Sequence, residues 1–229
     1  MSKDSKIASI ISSMMILFAI VLFIWILPFI YVWVAFSSPD MENQTTSLRK
    51  AVKFSVFPVQ KVYTIESIIP SLILSSNYDE AIKNYEKYKK TNTNSPIKNR
   101  IKRLAGYAYL HSDKYAEALE IAKELDDKQF LTQIYIKIGN IDTAKVLVQE
   151  LLKEQPEKIM NYRYLAEIKM SENNWHEADI LINKVLKATP NNLEVLKDKT
   201  EIAKQLGKTS EYKTYSKRIK EIEYKRNYK

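Results

Sequence analysis

The sequence predicts an all-α fold: one apolar N-terminal helix, then a stack of helical hairpins. Three observations predict it. Apolar residues recur mostly at three- and four-residue intervals, the spacing of one helix face. Only 3 of the 229 residues are glycine, which argues against a turn-rich β architecture. A pattern within Leu125–Pro190 returns after 34 residues: Gly139-Asn140-Ile141, Ala144 and Pro156 reappear as Asn173-Asn174-Trp175, Ala178 and Pro190. Fixed spacing of this kind marks stacked repeats, each covering its neighbour's apolar face.

Composition narrows the chemistry. With 0 cysteines there is no disulfide framework, no thiolate metal ligand and no thiol nucleophile. The net charge is +9, and the basic excess is concentrated after Lys184.

The N-terminal segment Ile7–Phe36 contains no charged residue. As a helix it would be about 45 Å long, against a hydrocarbon core of about 30 Å. It is about twice the apolar region of a cleaved signal peptide, so a transmembrane helix is the better reading. Pro28 is expected to divide an apolar span, Ile7–Leu27, from an aromatic-rich exit where Trp25, Tyr31 and Trp33 favour headgroup depth. The short tail 1–6 carries Lys3 and Lys6 and reads as the cytoplasmic side of a signal anchor. The expected location is a bacterial inner membrane, with everything after the span in the periplasm.

Residues 37–61 read as a juxtamembrane linker. Within it, Leu48–Lys61 mixes Arg49, Lys50, Lys53 and Lys61 with Phe54, Val56, Phe57 and Val59. Two readings stand there: a segment packing on the first repeat, or a stretch lying on anionic lipid headgroups.

Helical hairpins are expected over 62–229. In the first, Pro70 should move the helix start to near Ser67 or kink the helix. Ser76-Asn77 makes the turn, Ala81 follows in the partner helix, and Thr91–Pro96 is a polar loop. In the second, Leu104–Leu110 and Tyr115–Leu125 flank a Ser112-Asp113 turn. The third has a shortened first helix, Gln129–Ile138, because Ala118 and Ala144 are only 26 residues apart. The fourth spans Met160–Leu186. The fifth keeps its turn at Gly207 but places Tyr212 where a small residue is expected, and Glu211–Lys229 reads as a polar capping helix.

These residues resemble the tetratricopeptide repeat family over about Val62–Lys229. The matched features are Ala81, Ala118, Ala144 and Ala178 at the close helix approach, and Tyr78, Tyr115, Ile141 and Trp175 after the turns. Leu165-Ala166 and Ala105-Gly106 match the family's Leu-Gly pair, and Pro156 and Pro190 its closing proline. The resemblance implies a TPR-like α-solenoid of four to five hairpins on a single-pass anchor, a layout shared by several envelope assembly factors. It implies a partner-binding face on the first helix of each pair: Arg103, Tyr107 and His111, then Gln133 and Lys137, then Arg163, Glu167 and Met170. The basic residues lack the Asn four positions on that the carboxylate-gripping members use, so a wall for an acidic or aromatic peptide is the expectation.

No enzyme chemistry is expected. The three glycines lie more than thirty residues apart, which excludes a phosphate-cradling loop, and His176-Glu177 lacks the second histidine of a zinc helix. No cofactor or metal is expected. The expected function is a membrane-tethered adaptor that docks a protein partner, a membrane-complex subunit or peptide segment, and supports assembly of an envelope complex. A chaperone-like accessory of a secretion or import translocon is the alternative. A further alternative is anionic lipid or nucleic-acid binding by the basic C-terminal helix, through Lys213, Lys217, Arg218, Lys220, Lys225 and Arg226. The membrane anchor argues against nucleic acid.

Overall fold

The computed structural model describes the backbone of residues 3–91 and 98–228 and the side chains of 11–90 and 98–225. The expected Thr91–Pro96 loop lies outside the described residues from 92 onward, as do Met1 and Ser2 and the side chains of Lys3, Lys6 and Arg226. Twelve helices and no strand form among the described residues: α1 (Lys3–Ser37), α2 (Met41–Phe54), α3 (Pro58–Leu74), α4 (Tyr78–Thr91), α5 (Asn99–His111), α6 (Tyr115–Glu124), α7 (Lys128–Lys137), α8 (Ile141–Glu154), α9 (Ile159–Ser171), α10 (Trp175–Ala188), α11 (Leu193–Gln205) and α12 (Thr209–Tyr228). They form two compact units, Met1–Ser112 and Asp113–Lys229.

One turn recurs through both units, and two residues make it. The first takes positive φ: Ser76, Asp126, Gly139, Asn173 and Gly207 lie between +49° and +78°. That left-handed step lets the helix end in paired reverse bonds. After α7, for example, Asn140 N–H reaches Tyr135 O at 2.9 Å and Gly139 N–H reaches Ile136 O at 3.1 Å. The second residue starts the next helix. Asn140 accepts from Thr143 N–H at 3.2 Å, Asn174 from Glu177 N–H at 3.3 Å and Asp127 from Phe130 N–H at 3.1 Å. Four residues into the helices that follow, Ala81, Ala118, Ala144 and Ala178 are fully buried, because only a methyl fits where the paired helices touch. The third repeat is short because α6 and α7 are each 10 residues long, against 14 in α8 and α10. The shortening is shared with α6, whereas the sequence placed it in α7 alone.

In the first unit, three expectations are corrected. Residues 41–54 are helical where a linker was expected. Asp40 caps α2 by accepting from Asn43 N–H at 2.8 Å. The buried face of α2 is Thr45, Leu48 and Ala51, and its hydroxyl bonds α3 directly: Thr45 Oγ1 to Ser71 Oγ is 2.6 Å. Next, α3 starts at Pro58, whose fixed φ suits a first helical turn, and continues through Pro70. Interior proline costs about 3 kcal/mol. Burial of Ile65, Ile68, Ile69 and Leu72 outweighs it, at about 1.5–3 kcal/mol each.

Lastly, Pro28 does not divide α1, which runs unbroken to Ser37. Proline leaves the carbonyl four residues earlier without its donor. Gln60, fully buried at the start of α3, supplies one: its Nε2 donates to Ile24 O at 3.3 Å and to Trp25 O at 2.7 Å. Its Oε1 accepts from Val56 and Phe57 N–H, both at 3.0 Å, and so also caps α3.

In the second unit, a buried ion network holds the last three helices. Lys199 on α11 is 2% exposed and bonds Asp179 on α10 at 2.5 Å and Glu211 on α12 at 2.7 Å. Lys208 takes the second oxygen of Asp179 at 2.6 Å. Burial alone would lower the Lys199 pKa, but hydrogen bonds to the two acids outweigh it and the net shift is upward. Burial likewise raises Asp179, and the two lysines overcome it, holding the carboxyl below its ordinary value.

Three outcomes are expected. Gly139→Ala costs about 1 kcal/mol through backbone strain alone, since an added Cβ would meet nothing within 4 Å. Asn173→Gly at the equivalent turn leaves the thermal midpoint unchanged or higher. Asp179→Ala strips Lys199 of a buried partner and costs about 3 kcal/mol at neutral pH. Because the folded Asp179 pKa is depressed, its contribution is present above the unfolded value near 4 and lost as pH falls through the folded one. Acid unfolding curves of variant and wild type therefore converge at low pH.

Candidate partner-binding surface

The expected contact residues fall in both units. In the first, Arg103 on α5 is exposed, while Tyr107 and His111 are half-buried and gathered by α4. Tyr107 and His111 rings lie 4.1 Å apart, and Tyr78 stacks on His111 at 4.9 Å. The residue after the hairpin turn thus meets the last turn of the following first helix.

In the second unit the first helices α7, α9 and α11 lie side by side, α9 touching both neighbours. Gln133 is half-buried and Lys137 is exposed on α7. Met170, at the end of α9, packs on the core cluster of Ala166, Ala178 and Ile182.

Arg163 is the centre of this face, and it is 8% exposed. Its guanidinium holds Glu167 at 2.7 Å, one turn along α9, and Asp198 on α11 at 2.8 Å, with Glu194 at 3.9 Å. Arg163 is therefore committed within the fold instead of standing as a bare cation. One guanidinium facing three carboxylates leaves the cluster short of positive charge. Burial pushes the Glu167 carboxyl up to about 7; Arg163 pulls it down, and Asp198 and Glu194 add to the rise. Burial raises Asp198 as well, again opposed by Arg163. Lys137 lowers both, which puts it within electrostatic reach of the cluster. Near neutral pH the Glu167 carboxyl is partly protonated, with Lys137 within electrostatic reach.

Sequence reasoning missed Glu194 and Asp198. They lie four residues apart on α11, hence on one helix face, and that spacing was the available signal. On the C-terminal helix α12, Lys213, Lys217, Lys220 and Lys225 are exposed. Arg218 turns back to Asn191 Oδ1 at 3.0 Å.

Solved structures share this arrangement of hairpins. A tetratricopeptide repeat protein from Parabacteroides merdae superposes with a TM-score of 0.57 at 13% identity, over 84% of this chain and 78% of that one. PilW, a widely conserved type IV pilus biogenesis factor, gives 0.57 at 18% identity, over 82% and 90%. PilF of Pseudomonas aeruginosa gives 0.51 at 13% identity, over 85% and 91%. The chain has a tetratricopeptide-type fold. No family model and no curated protein matches the sequence.

The acid cluster has a measurable consequence. Between the ordinary glutamate value of 4.5 and about 7, the folded chain holds a proton on Glu167 that the unfolded chain does not. The unfolded state binds fewer protons there, so stability falls as pH rises across that window. Glu167→Gln keeps the amide oxygen for Arg163 and removes the titration. Its thermal midpoint is expected to stay flatter between pH 5 and pH 7.5 than that of wild type.

Proposed function

We propose that this chain is a non-catalytic, membrane-tethered adaptor that docks a protein partner on the first-helix face of its second unit. The supporting observation is the pairing of two features. Among the described residues one helix, Ile11–Ser37, is long and apolar enough to cross a membrane. The rest of the chain is given to helical hairpins, which offer surface for recognition. By this reading α1 is a signal anchor with its N-terminus in the cytoplasm, and the hairpins lie in the periplasm of a bacterial inner membrane. PilW, whose fold is alike, is a pilus biogenesis factor, and support of an envelope complex is the corresponding role proposed here.

Lys137, Gln133 and Met170, around the Arg163 cluster, would make the partner contacts in the second unit. Tyr107, His111 and Arg103 would make those in the first. With protonatable acids at its centre, the α7–α9–α11 face suits a partner segment carrying a basic or hydrogen-bond-donating group better than a purely acidic one. The experiment is site-specific photo-cross-linking in native membranes. A photoreactive residue at Lys137 is expected to trap one stoichiometric protein. The same residue at Ile180, exposed on α10, is expected to trap none. Equal labelling from both positions, or a broad spread of translocating chains from Lys137, overturns the adaptor reading.

A further inference from the structure

The first unit contains a cleft of 720 Å³ formed by α2, α3 and α4. Its lining carries five cations, Arg49, Lys53, Lys61, Lys83 and Lys87, and one carboxylate, Glu80. That carboxylate is already used. Arg49 donates to it from Nε at 2.9 Å and 3.1 Å and from Nη2 at 2.6 Å. Lys53, Lys61 and Lys83 are exposed and make no ion pair among the described residues. The cleft is thus built for an anion that the fold does not supply. Its floor is apolar, with Val52, Ile65 and Ile68.

Depth indicates which anion. Every side chain from Ile11 to Ile26 is exposed. From Pro28 onward one face of α1 is covered: Pro28, Val32 and Ala35 are buried and Tyr31 stacks on Phe54 of α2 at 5.6 Å, while Trp33 and Phe36 on the other face stay exposed. Helix α2 displays Glu42, Arg49, Lys50 and Lys53 to solvent, so the covered part of α1 cannot lie in hydrocarbon. The helix from Ile7 to Ile26 is long enough for one crossing of about 30 Å. The bilayer surface therefore falls at Trp25–Pro28.

The elbow between α2 and α3 lies at that level. Gln60 bonds the Trp25 carbonyl, and Tyr63 meets Phe29 at 5.2 Å. Val56, Phe57 and Val59 around the elbow are exposed, Val59 at 71%. Lys61 follows Gln60 directly, and Lys53 lies in the last turn of α2, two residues before Ser55. Apolar side chains beside lysines, held at headgroup depth, are the makings of an interfacial membrane contact.

We propose that the α2–α3 elbow seats in the bilayer surface and that the cleft above it binds the headgroup of an anionic phospholipid of the same membrane. Lysines bind the phosphate and the apolar floor receives the glycerol end. The tether and this cleft act together: the span fixes depth, and the cleft makes the contact selective for lipid charge. This inference rests on α1 crossing a bilayer but not on the partner face of the second unit.

The test is native mass spectrometry of the full chain released from mixed nanodiscs of phosphatidylglycerol and phosphatidylcholine. Wild type is expected to retain phosphatidylglycerol in preference to phosphatidylcholine. Each of Lys53→Gln, Lys61→Gln and Lys83→Gln is expected to weaken that retention about fivefold, the worth of one basic residue near a charged surface. Helical content by circular dichroism should be unchanged. The triple variant is expected to lose the preference, and Lys213→Gln/Lys217→Gln/Lys220→Gln on α12 to keep it. No preference in wild type, or loss of it only in the α12 variant, overturns the proposal. Displacement of the lipid by millimolar inorganic phosphate overturns it in favour of a free-anion site. Membrane flotation separates the two levels: a chain that floats yet shows no preference refutes the cleft and leaves the anchor standing.

Discussion

A proline inside a long apolar helix leaves a carbonyl without its donor, among side chains that cannot supply one. Here the donor comes from 36 residues later in the chain, as Gln60 Nε2 reaches Ile24 O. The same amide covers Trp25 O, and its oxygen caps α3. All of its hydrogen-bonding capacity is used while the residue is fully buried. The bond sets where α1 stops being bare and where α3 begins. It ties the α2–α3 elbow, and the cleft beside it, to α1. Replacing the glutamine with an aliphatic residue would orphan the Ile24 carbonyl and remove the acceptor for Val56 and Phe57 N–H, an error the local sequence cannot repair.

The repeats were legible because their turns are chemical and not merely hydrophilic. Gly139-Asn140 and Asn173-Asn174 read as breaks, and the structure shows why the pairs take that form: one residue accepts positive φ and the next has a side-chain oxygen for capping. The buried alanine that follows was equally readable. Helix α2 was not, because its buried face is built from Thr45, Leu48, Ala51 and nearby Ser55. Hydroxyls that bond Ser71 and Thr64 do the work of aliphatic side chains there, so hydrophobic periodicity gives almost no signal. The Asp40 cap was the one clear helix marker, and Pro39 beside it read as linker. In α3, Pro70 weighed too heavily against an apolar face that more than compensates for it.

The site was less readable than the fold for a physical reason. A sequence shows that Arg163 lies on the first-helix face, but whether it meets solvent or a counter-ion depends on the next repeat. Asp198 arrives from α11, 35 residues on, in the fifth hairpin, where no contact residue was expected. Lys199 shows the same effect beneath the surface. It occupies a core position between Val195 and Ile202, where only a pair of acids from α10 and α12 makes a charge tolerable. Charged residues at core-periodic positions are therefore a signal in themselves: they imply partners from elements still to be placed.

The membrane-proximal helices also bear on how well a tethered surface can bind. Had residues 37–61 been a flexible linker, anything attached would sample many orientations above the bilayer, and each docking event would have to remove that freedom. Instead α2 folds back along α1, ties to α3 through Thr45–Ser71 and Ser55–Thr64, and ends where Gln60 grips the anchor. The ordering cost is met during folding, before any ligand arrives. Under the lipid proposal the first unit would meet the bilayer at one fixed depth. A lysine cleft whose distance from the bilayer surface cannot fluctuate discriminates headgroup charge far better than the same lysines on a loose tail, because its counter-ion must be found at that depth and nowhere else.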